Sequence, residues 1–185
     1  YEIVPRDWSS DVCSSDLDYP LMGGTDSDRY TDHNYEGGYD LYGTPFLDSR
    51  NAVDFSDFFS LVFGHDMNNS AMFGSLDDFL QESAFADLSD GVLLLPDERY
   101  RLEVTASIAA TCPAQELIDQ IMTADAAEQP QLLEQLLEMA AVKKDDVTVS
   151  EEDHWVMLST LDYADEKNDN GTPSMLLLKL RTSTT

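Results

Sequence analysis

Histidine and cysteine are the side chains best suited to acid–base and nucleophilic chemistry near neutral pH, and this chain has three histidines and two cysteines. His65 follows Gly64 and the short apolar run Leu61–Phe63, so it lies at the end of a predicted buried strand. A thiolate is a competent nucleophile, and a nearby cationic histidine favours its formation. His33 and His154 have no neighbours at a metal-ligand spacing, and we expect packing or surface roles for them.

Cys112 is the one cysteine outside the first seventeen residues. It precedes Pro113 and a predicted helix, and a helix N-terminus lowers the pKa of a thiol. A lone cysteine is nevertheless most often a small buried hydrophobe, and we expect that role here. One cysteine forms neither an intrachain disulfide nor a cysteine-based zinc site.

An acidic stretch, Glu166–Gly171, has some likeness to a calcium-binding loop. It starts with Glu, however, and Leu177 stands at the twelfth position, where such loops carry Glu. We therefore interpret the stretch as a connecting loop, and the sequence predicts no metal site and no cofactor.

The first seventeen residues are predicted to lie outside the folded domain. Residues 7–17 (DWSSDVCSSDL) have the sequence that a common short-read sequencing adapter gives when it is translated. We therefore expect residues 1–17 to be an assembly artefact, which is excluded from reasoning about the fold. Residues 18–185 are expected to form the domain, with a native N-terminal anchor missing.

The sequence is strongly acidic, with 37 Asp and Glu against 10 Lys and Arg and a formal net charge of −27. Residues 1–17 hold four acids and one base, so residues 18–185 carry −24. Nucleic-acid binding needs clustered Lys and Arg, and an anionic membrane surface would repel such a chain. The composition thus excludes both as direct ligands and indicates a solvated acidic surface. Residues 18–185 contain no apolar stretch long enough to span a membrane.

The predicted elements alternate between strands and helices, in a chain long enough for one domain with a real core. Gly-, Asp- and Tyr-rich turns indicate short strands and loops in residues 18–50. Apolar runs and alternation predict strands at residues 61–65, 92–95, 100–105, 155–160 and 175–180. Helical spacing predicts helices at residues 73–85 and 114–122 and a third that begins near Pro130. The pattern favours a mainly β fold with added helices.

Five segments, in order, resemble the motifs of the class B sortases, and the resemblance covers essentially all of residues 18–185, including the helical insertion. The most specific is FGHDMNNSAMFGSL, which is similar to the family's YGHNM-x-x-x-x-MFGSL. The segment LSTLDY is similar to LSTCDY, with Leu161 in place of Cys. The five segments are Asp18–Met22, Tyr30–Tyr39, Gly43–Asn51, Phe63–Leu76 and Leu158–Tyr163.

The resemblance implies a fold and a reaction. The fold is a closed β-barrel with flanking helices and a helical insertion before the last two strands. The reaction is transpeptidation, in which a Cys thiolate attacks the Thr carbonyl of a sorting motif and a cell-wall amine resolves the acyl-enzyme. The implied partners are thus a sorting-motif peptide and a wall amine, and the implied location is the cell surface, with membrane contact only through the missing N-terminal anchor.

The implied catalytic residues are only partly present. His65 matches the family's histidine, whereas Leu161 occupies the position of the nucleophilic cysteine. The family's Arg is expected within residues 171–175, which read Gly-Thr-Pro-Ser-Met. Lys179 stands about 17 Å farther along an extended strand and is a poor substitute. The side chains expected to shape the groove are Asp66, Asn68, Ser159 and Thr160.

These observations leave several interpretations open. One is a degenerate sortase that retains a groove for peptides or wall components without catalysis. Another is an active class B sortase whose coding sequence carries errors near residues 161–175. A third is the product of a decaying gene without a function.

Overall fold

The computed structural model describes residues 2–3, 19–66, 72–88, 90–161 and 174–182. The strands are β1 (Glu2–Ile3), β2 (Tyr19–Pro20), β3 (Phe46–Leu47), β4 (Phe59–His65), β5 (Gly91–Leu94), β6 (Arg99–Ala109), β7 (Val142–Lys143), β8 (His154–Leu161) and β9 (Ser174–Thr182). The α-helices are α1 (Glu82–Ala86), α2 (Cys112–Thr123) and α3 (Gln129–Glu138), and two 3₁₀ helices cover Ser27–Thr31 and Gly74–Leu80. The described ranges thus confirm a mainly β fold with added helices.

The nine strands of the described ranges belong to one sheet. Eight follow the order β2-β1-β5-β6-β9-β8-β4-β3, and β7 pairs with β6 beside that path. Strands β4 and β8 run parallel, and every other described ladder is antiparallel. Strands β8 and β9 are the last two described strands in the sequence, yet they are neighbours in the middle of this order.

The two ends of this path approach each other at one residue. Met22, just after β2, forms a parallel bridge with Phe46 of β3. Its N–H donates to the carbonyl of Pro45 at 3.0 Å, and its carbonyl accepts from the N–H of Leu47 at 2.8 Å. The ladders themselves form an open sheet, so closure of the barrel stays a prediction.

The sheet separates two hydrophobic cores, because successive side chains of a strand point to opposite faces. In β8, Val156 and Leu158 pack in the core that also holds the 3₁₀ helix Gly74–Leu80. Trp155 and Met157 pack in the other core, which contains the apolar faces of α2 and α3. Each face of the central strands is therefore fixed by burial, and this fixes the register of β8.

Helices α2 and α3 form the insertion between β6 and β8, and their apolar stripes explain why they are stable. Helices of 10 to 12 residues are marginal in isolation, but α3 buries Leu133, Leu136 and Leu137 against the sheet. Each fully buried leucine contributes roughly 1.5–3 kcal/mol. Pro130 stands in the first turn of α3, as the sequence predicts.

Three features differ from the sequence-based expectations. The segment predicted as one helix at residues 73–85 is a 3₁₀ helix, Gly74–Leu80, followed by the short α1. The two-residue strand β7, which pairs with Ala106 and Ser107 of β6, was not predicted. The prediction of a buried Cys112 is wrong, because this cysteine is exposed at the first residue of α2.

Candidate functional site

The parallel pairing of β4 and β8 brings the predicted catalytic positions together. In this ladder Gly64 lies opposite Thr160, and His65 lies opposite Leu161. Neighbouring strands in a sheet are separated by roughly 4.8 Å. Two positions that are far apart in the sequence are thus adjacent at the ends of two central strands.

The His65 side chain is half-buried and is oriented by the loop beside the sheet. Its Nε2 lies 2.6 Å from the carbonyl oxygen of Thr31, the last residue of the first 3₁₀ helix. A carbonyl only accepts hydrogen bonds, so this nitrogen carries the hydrogen. The backbone is held as well, because the N–H of Phe73 donates to the His65 carbonyl at 3.0 Å. His65 is therefore positioned by two segments outside its own strand.

Gly64 is required by the close approach of Phe73. A Cβ added at Gly64 would lie 2.7 Å from atoms of the Phe73 ring. The ring has little freedom to move, since Phe73 is fully buried in the core beneath the 3₁₀ helix. The glycine before the histidine in the FGH motif thus allows this ring to pack against β4.

Asp66 begins the segment after β4, and its position is fixed by an isolated bridge to Met72. The N–H of Met72 also donates to the hydroxyl of Tyr19 at 2.9 Å. Asp66 is half-buried. The bridge to Met72 holds its backbone beside His65. Asn68, which was also predicted to shape the groove, lies outside the described residues.

Ser159 and Thr160 of β8 are both buried, so they lie beneath the surface near His65 rather than on it. The Ser159 hydroxyl donates to the Thr160 carbonyl at 3.3 Å. The Thr160 hydroxyl is buried without a hydrogen-bond partner among the described residues. For Leu161 the structure describes the backbone as the last residue of β8, and the groove-shaping role of these positions stays a prediction.

Asp77 is a charged neighbour of the site that the sequence did not single out. It lies in the 3₁₀ helix Gly74–Leu80, which packs on β9. Its Oδ1 is buried without a hydrogen-bond partner in the described ranges. Burial raises the pKa of Asp77, and the negative charge of Asp66 raises it further. Only the apolar context of the helix hints at this burial, because the sequence there reads as an ordinary amphipathic stretch.

The motif GTPFLDSRN supports the strand that carries His65. Asp48 forms hydrogen bonds of 2.9 and 2.7 Å with the Arg50 guanidinium. The Asn51 amide donates to the carbonyl of Phe59 at 2.8 Å and accepts from the N–H of Leu61 at 2.9 Å. The motif therefore acts structurally, since Asn51 bonds two residues of β4.

Lys179 does not replace the missing arginine. Its Nζ lies 2.7 Å from Asp153 Oδ2 and donates to the Thr148 carbonyl at 2.8 Å. It also lies 4.9 Å from the centre of the Trp155 ring. Trp155 is near the start of β8, whereas Leu161 is at its end, so Lys179 lies at the other end of the strand from His65. Residues 171–173, where the arginine was expected, lie outside the described residues.

The other candidate residues lie apart from this pair. His33 contacts Asp32, with Nδ1 to Oδ1 at 2.6 Å, and His154 Nδ1 lies 2.9 Å from the Asp57 carbonyl oxygen. Neither contact is to a second histidine or a cysteine. No group of metal-ligating side chains occurs in the described ranges, and no helix within them is long and apolar enough to cross a membrane.

Comparisons with known proteins show that the chain is similar to the class B sortases in sequence and in fold. Over 71 residues it is 32% identical to sortase B of Listeria monocytogenes, a match that covers 38% of this chain and 29% of the Listeria protein. No protein-family model matches the chain.

Two solved structures have the same fold. The crystal structure of sortase B from Bacillus anthracis in complex with AAEK1 aligns with a TM-score of 0.75 and 28% identity, over 91% of this chain and 75% of that one. A Staphylococcus aureus sortase B–substrate complex aligns with a TM-score of 0.76 and 20% identity, over 92% of this chain and 76% of that one. The resemblance drawn from the sequence motifs is confirmed.

Proposed function

We propose that this chain is a sortase-like protein whose groove binds a sorting-motif peptide but whose sequence, as it stands, does not support acyl transfer. The observation that carries the proposal is the register of β4 and β8, which puts Leu161 directly beside His65. In the family reaction a thiolate at the second position attacks the peptide carbonyl. A leucine side chain has no nucleophilic atom, so position 161 supplies no thiol for an imidazole to activate.

The absent arginine would weaken any residual reaction further. The family uses a cationic donor to stabilise the oxyanion that forms when the carbonyl is attacked. Removal of one such donor from an enzyme typically lowers the rate by about 10²–10³-fold. Residues 171–175 contain no arginine, and Lys179 is engaged with Asp153 at the other end of β8.

Incubation with a library of threonine-containing pentapeptides tests the proposed absence of acyl transfer. Intact-mass measurements should detect no peptide adduct on the chain, and the Cys13→Ser/Cys112→Ser variant identifies any adduct that forms on one of the two cysteines. A peptide adduct on this chain, or cleavage of any peptide above the rate without protein, would refute the proposal.

The second experiment tests the predicted pair itself by placing a thiol at position 161. A Leu161→Cys/Cys13→Ser/Cys112→Ser variant should react with iodoacetamide several-fold faster at pH 7 than the same variant with His65→Ala, because an adjacent imidazolium favours the thiolate. The Cys13→Ser/Cys112→Ser chain is the matched background. Equal rates with and without His65 would show that the two side chains do not interact.

The partners and location follow the same proposal. A peptide ligand is supported by the substrate complex of the Staphylococcus aureus protein, and a wall amine is inferred from the family reaction. We infer a cell-surface location, with attachment through an N-terminal anchor, from the sortase B relatives. Fluorescence anisotropy with labelled peptides from the same library would detect binding without turnover.

Two structural proposals accompany the function. We propose that residues 18–185 form the domain and that residues 1–17 are not part of it. We also propose that in the full chain, where β1 joins β2 to β5, the Met22–Phe46 bridge is the closure point of a barrel, since it supplies the backbone hydrogen bonds between the two ends of the sheet.

A further inference from the structure

The loop that follows the first 3₁₀ helix exposes a group of large apolar side chains. In the described part of the chain six large hydrophobic residues are exposed, and four of them lie within residues 35–42. Isolated exposed apolar residues need no explanation, but a clustered group marks an interaction surface. The four are Tyr35, Tyr39, Leu41 and Tyr42, with exposed fractions of 58, 74, 66 and 53%.

Backbone hydrogen bonds hold this loop in one shape. The N–H of Asn34 donates to the Gly38 carbonyl at 2.8 Å, and the N–H of Asp40 donates to the Asp32 carbonyl at 2.9 Å. Gly43 closes the loop with φ of 58°, where a Cβ would lie 2.2 Å from a carbonyl oxygen of the 3₁₀ helix. The tyrosines are thus displayed on an ordered backbone, and a ligand would pay little of the entropy of ordering it.

The chemistry of the loop points to a cationic ligand. Residues 26–42 contain five carboxylates and one arginine. That arginine, Arg29, lies with its guanidinium carbon 5.1 Å from the centre of the Tyr30 ring, and its Nη1 is 3.9 Å from Asp26 Oδ2. One guanidinium of the chain is therefore already held by a tyrosine face and a carboxylate in this loop. The exposed tyrosines repeat the aromatic half of that arrangement, beside Glu36 and Asp40.

We propose that residues 26–42 form a docking surface for a lysine- or arginine-rich peptide segment. The exposed tyrosine rings would contact the cationic side chains face-on, and the surrounding carboxylates would pair with their charges. The surface borders the candidate site, because the Thr31 carbonyl within it accepts the hydrogen bond from His65. A basic segment bound here would place its flanking residues near the His65 end of the sheet. This inference goes beyond the proposed function and does not depend on it.

The test is the affinity of fluorescein-labelled hexaarginine for the full chain, measured by anisotropy at low salt. A Tyr35→Ala/Tyr39→Ala/Tyr42→Ala variant should bind roughly tenfold more weakly, because three cation–π contacts are lost. The matched Tyr35→Phe/Tyr39→Phe/Tyr42→Phe variant keeps the rings and the net charge, and it should bind within about twofold of the parent chain.

Unchanged affinity of the alanine variant would overturn the proposal, since net charge alone would then explain binding. Equal binding of hexaglutamate, or binding of an N-acetylglucosamine oligomer in place of hexaarginine, would overturn it too. If the triple alanine variant does not fold, Tyr39→Ala alone should still weaken binding about twofold, because this ring is 74% exposed. None of these outcomes bears on acyl transfer, which is measured separately.

Discussion

Asp77 shows how a single residue near the site is held at a cost to stability. No salt bridge involves Asp77 in the described ranges, and Asp66 adds a like charge nearby. Burial of this carboxylate, together with the charge of Asp66, outweighs its hydrogen bonding with Ser174 and so raises the pKa of Asp77. Above its folded pKa, the ionised Asp77 therefore destabilises the folded chain relative to the unfolded one.

Asp77→Asn should raise the unfolding temperature at pH 7, and each kcal/mol gained corresponds to roughly 2–4 °C in a chain of this size. The folded pKa of Asp77 is raised above 3.8, so the folded state takes up its proton first as the pH falls. The gain should be complete above the folded pKa, shrink as the pH falls through it, and vanish below the unfolded value. Thermal unfolding from pH 3 to 8 measures this.

Asp78→Asn is the matched control for that experiment. Asp78 is the neighbouring residue of the same 3₁₀ helix, but it is exposed. Its replacement changes the net charge by the same amount, and it should change the unfolding temperature little. Equal gains from the two substitutions would mean that global charge, and not burial of Asp77, sets the effect.

At the residue scale, the sequence identified candidate residues, but it did not predict their hydrogen bonds or their burial. His65 was recognised from its motif, and its hydrogen bond to Thr31 could not have been, because it joins residues 34 positions apart. Ser159 and Thr160 were chosen for their place in a motif, yet burial depends on which face of β8 each side chain takes. Asp77 was not predicted, because its destabilising effect arises from tertiary packing that no local sequence pattern indicates.

Strand β4 positions His65. It packs so closely against Phe73 that residue 64 has no room for a side chain. Gly64→Ala should destabilise the chain by about 1–3 kcal/mol, the usual cost of forcing extra volume into a packed core. The Phe73 side chain is 2% exposed, and a close-packed interior leaves such a ring little room to move. Urea unfolding at fixed pH measures the change.

Gly91→Ala in β5 separates this effect from a general response of strand glycines. A Cβ at Gly91 would lie 3.6 Å from its nearest neighbour, which is ordinary contact. That substitution should alter stability by less than about 0.5 kcal/mol, or increase it slightly, because alanine loses less conformational freedom on folding. Similar losses at both positions would contradict the packing argument at Gly64.

The sequence predicted the elements that have a strong hydrophobic periodicity. It did not predict those that form only through pairing with another strand or packing on the sheet. The alternation in β6 and the leucine stripe of α3 are local signals. Strand β6 contains the predicted residues 100–105 and continues to Ala109, and α3 begins beside Pro130 as predicted. Strand β7 has two residues and exists only because β6 offers it hydrogen bonds. The division of residues 73–85 into a 3₁₀ helix and α1 is likewise set by packing against the sheet.

At the scale of the whole molecule, strand β1 bears on whether residues 1–17 belong to the domain. Glu2–Ile3 forms β1 and lies between β2 and β5. Its ladders have two residues each, so they add few hydrogen bonds to a sheet whose long pairings are β6 with β9 and β4 with β8.

Residues 18–185 alone should therefore unfold within about 2 °C of the full chain, since this shift corresponds to 1 kcal/mol or less. Differential scanning calorimetry of both chains measures the difference. A chain in which residues 1–17 are scrambled in place controls for length and charge. A loss of several degrees in both the shortened and the scrambled chain would show that this segment is part of the fold.

At the scale of the molecule, the family motifs predicted the fold and composition alone could not. Periodicity identified a mainly β chain with helices, but many sheet orders are compatible with the same strands. The order in which β8 separates β4 from β9 is a long-range property of burial on both faces. Resemblance to the family motifs therefore predicted the class of the fold, whereas the pairing of His65 with position 161 follows only from the register of β4 and β8.

The parallel ladder between β4 and β8 also determines at which stage of folding the candidate site can form. Its strands are separated by the whole of α1 to α3 and three other strands, so the contact between them closes a loop of about ninety residues, a slow step compared with local pairing. A chain growing from its N-terminus completes β4 early and can pair it with β3, but its other edge stays unpaired until β8 has been synthesised. The pairing of His65 with Leu161 is thus a late event in folding, and a product truncated before His154 would lack it.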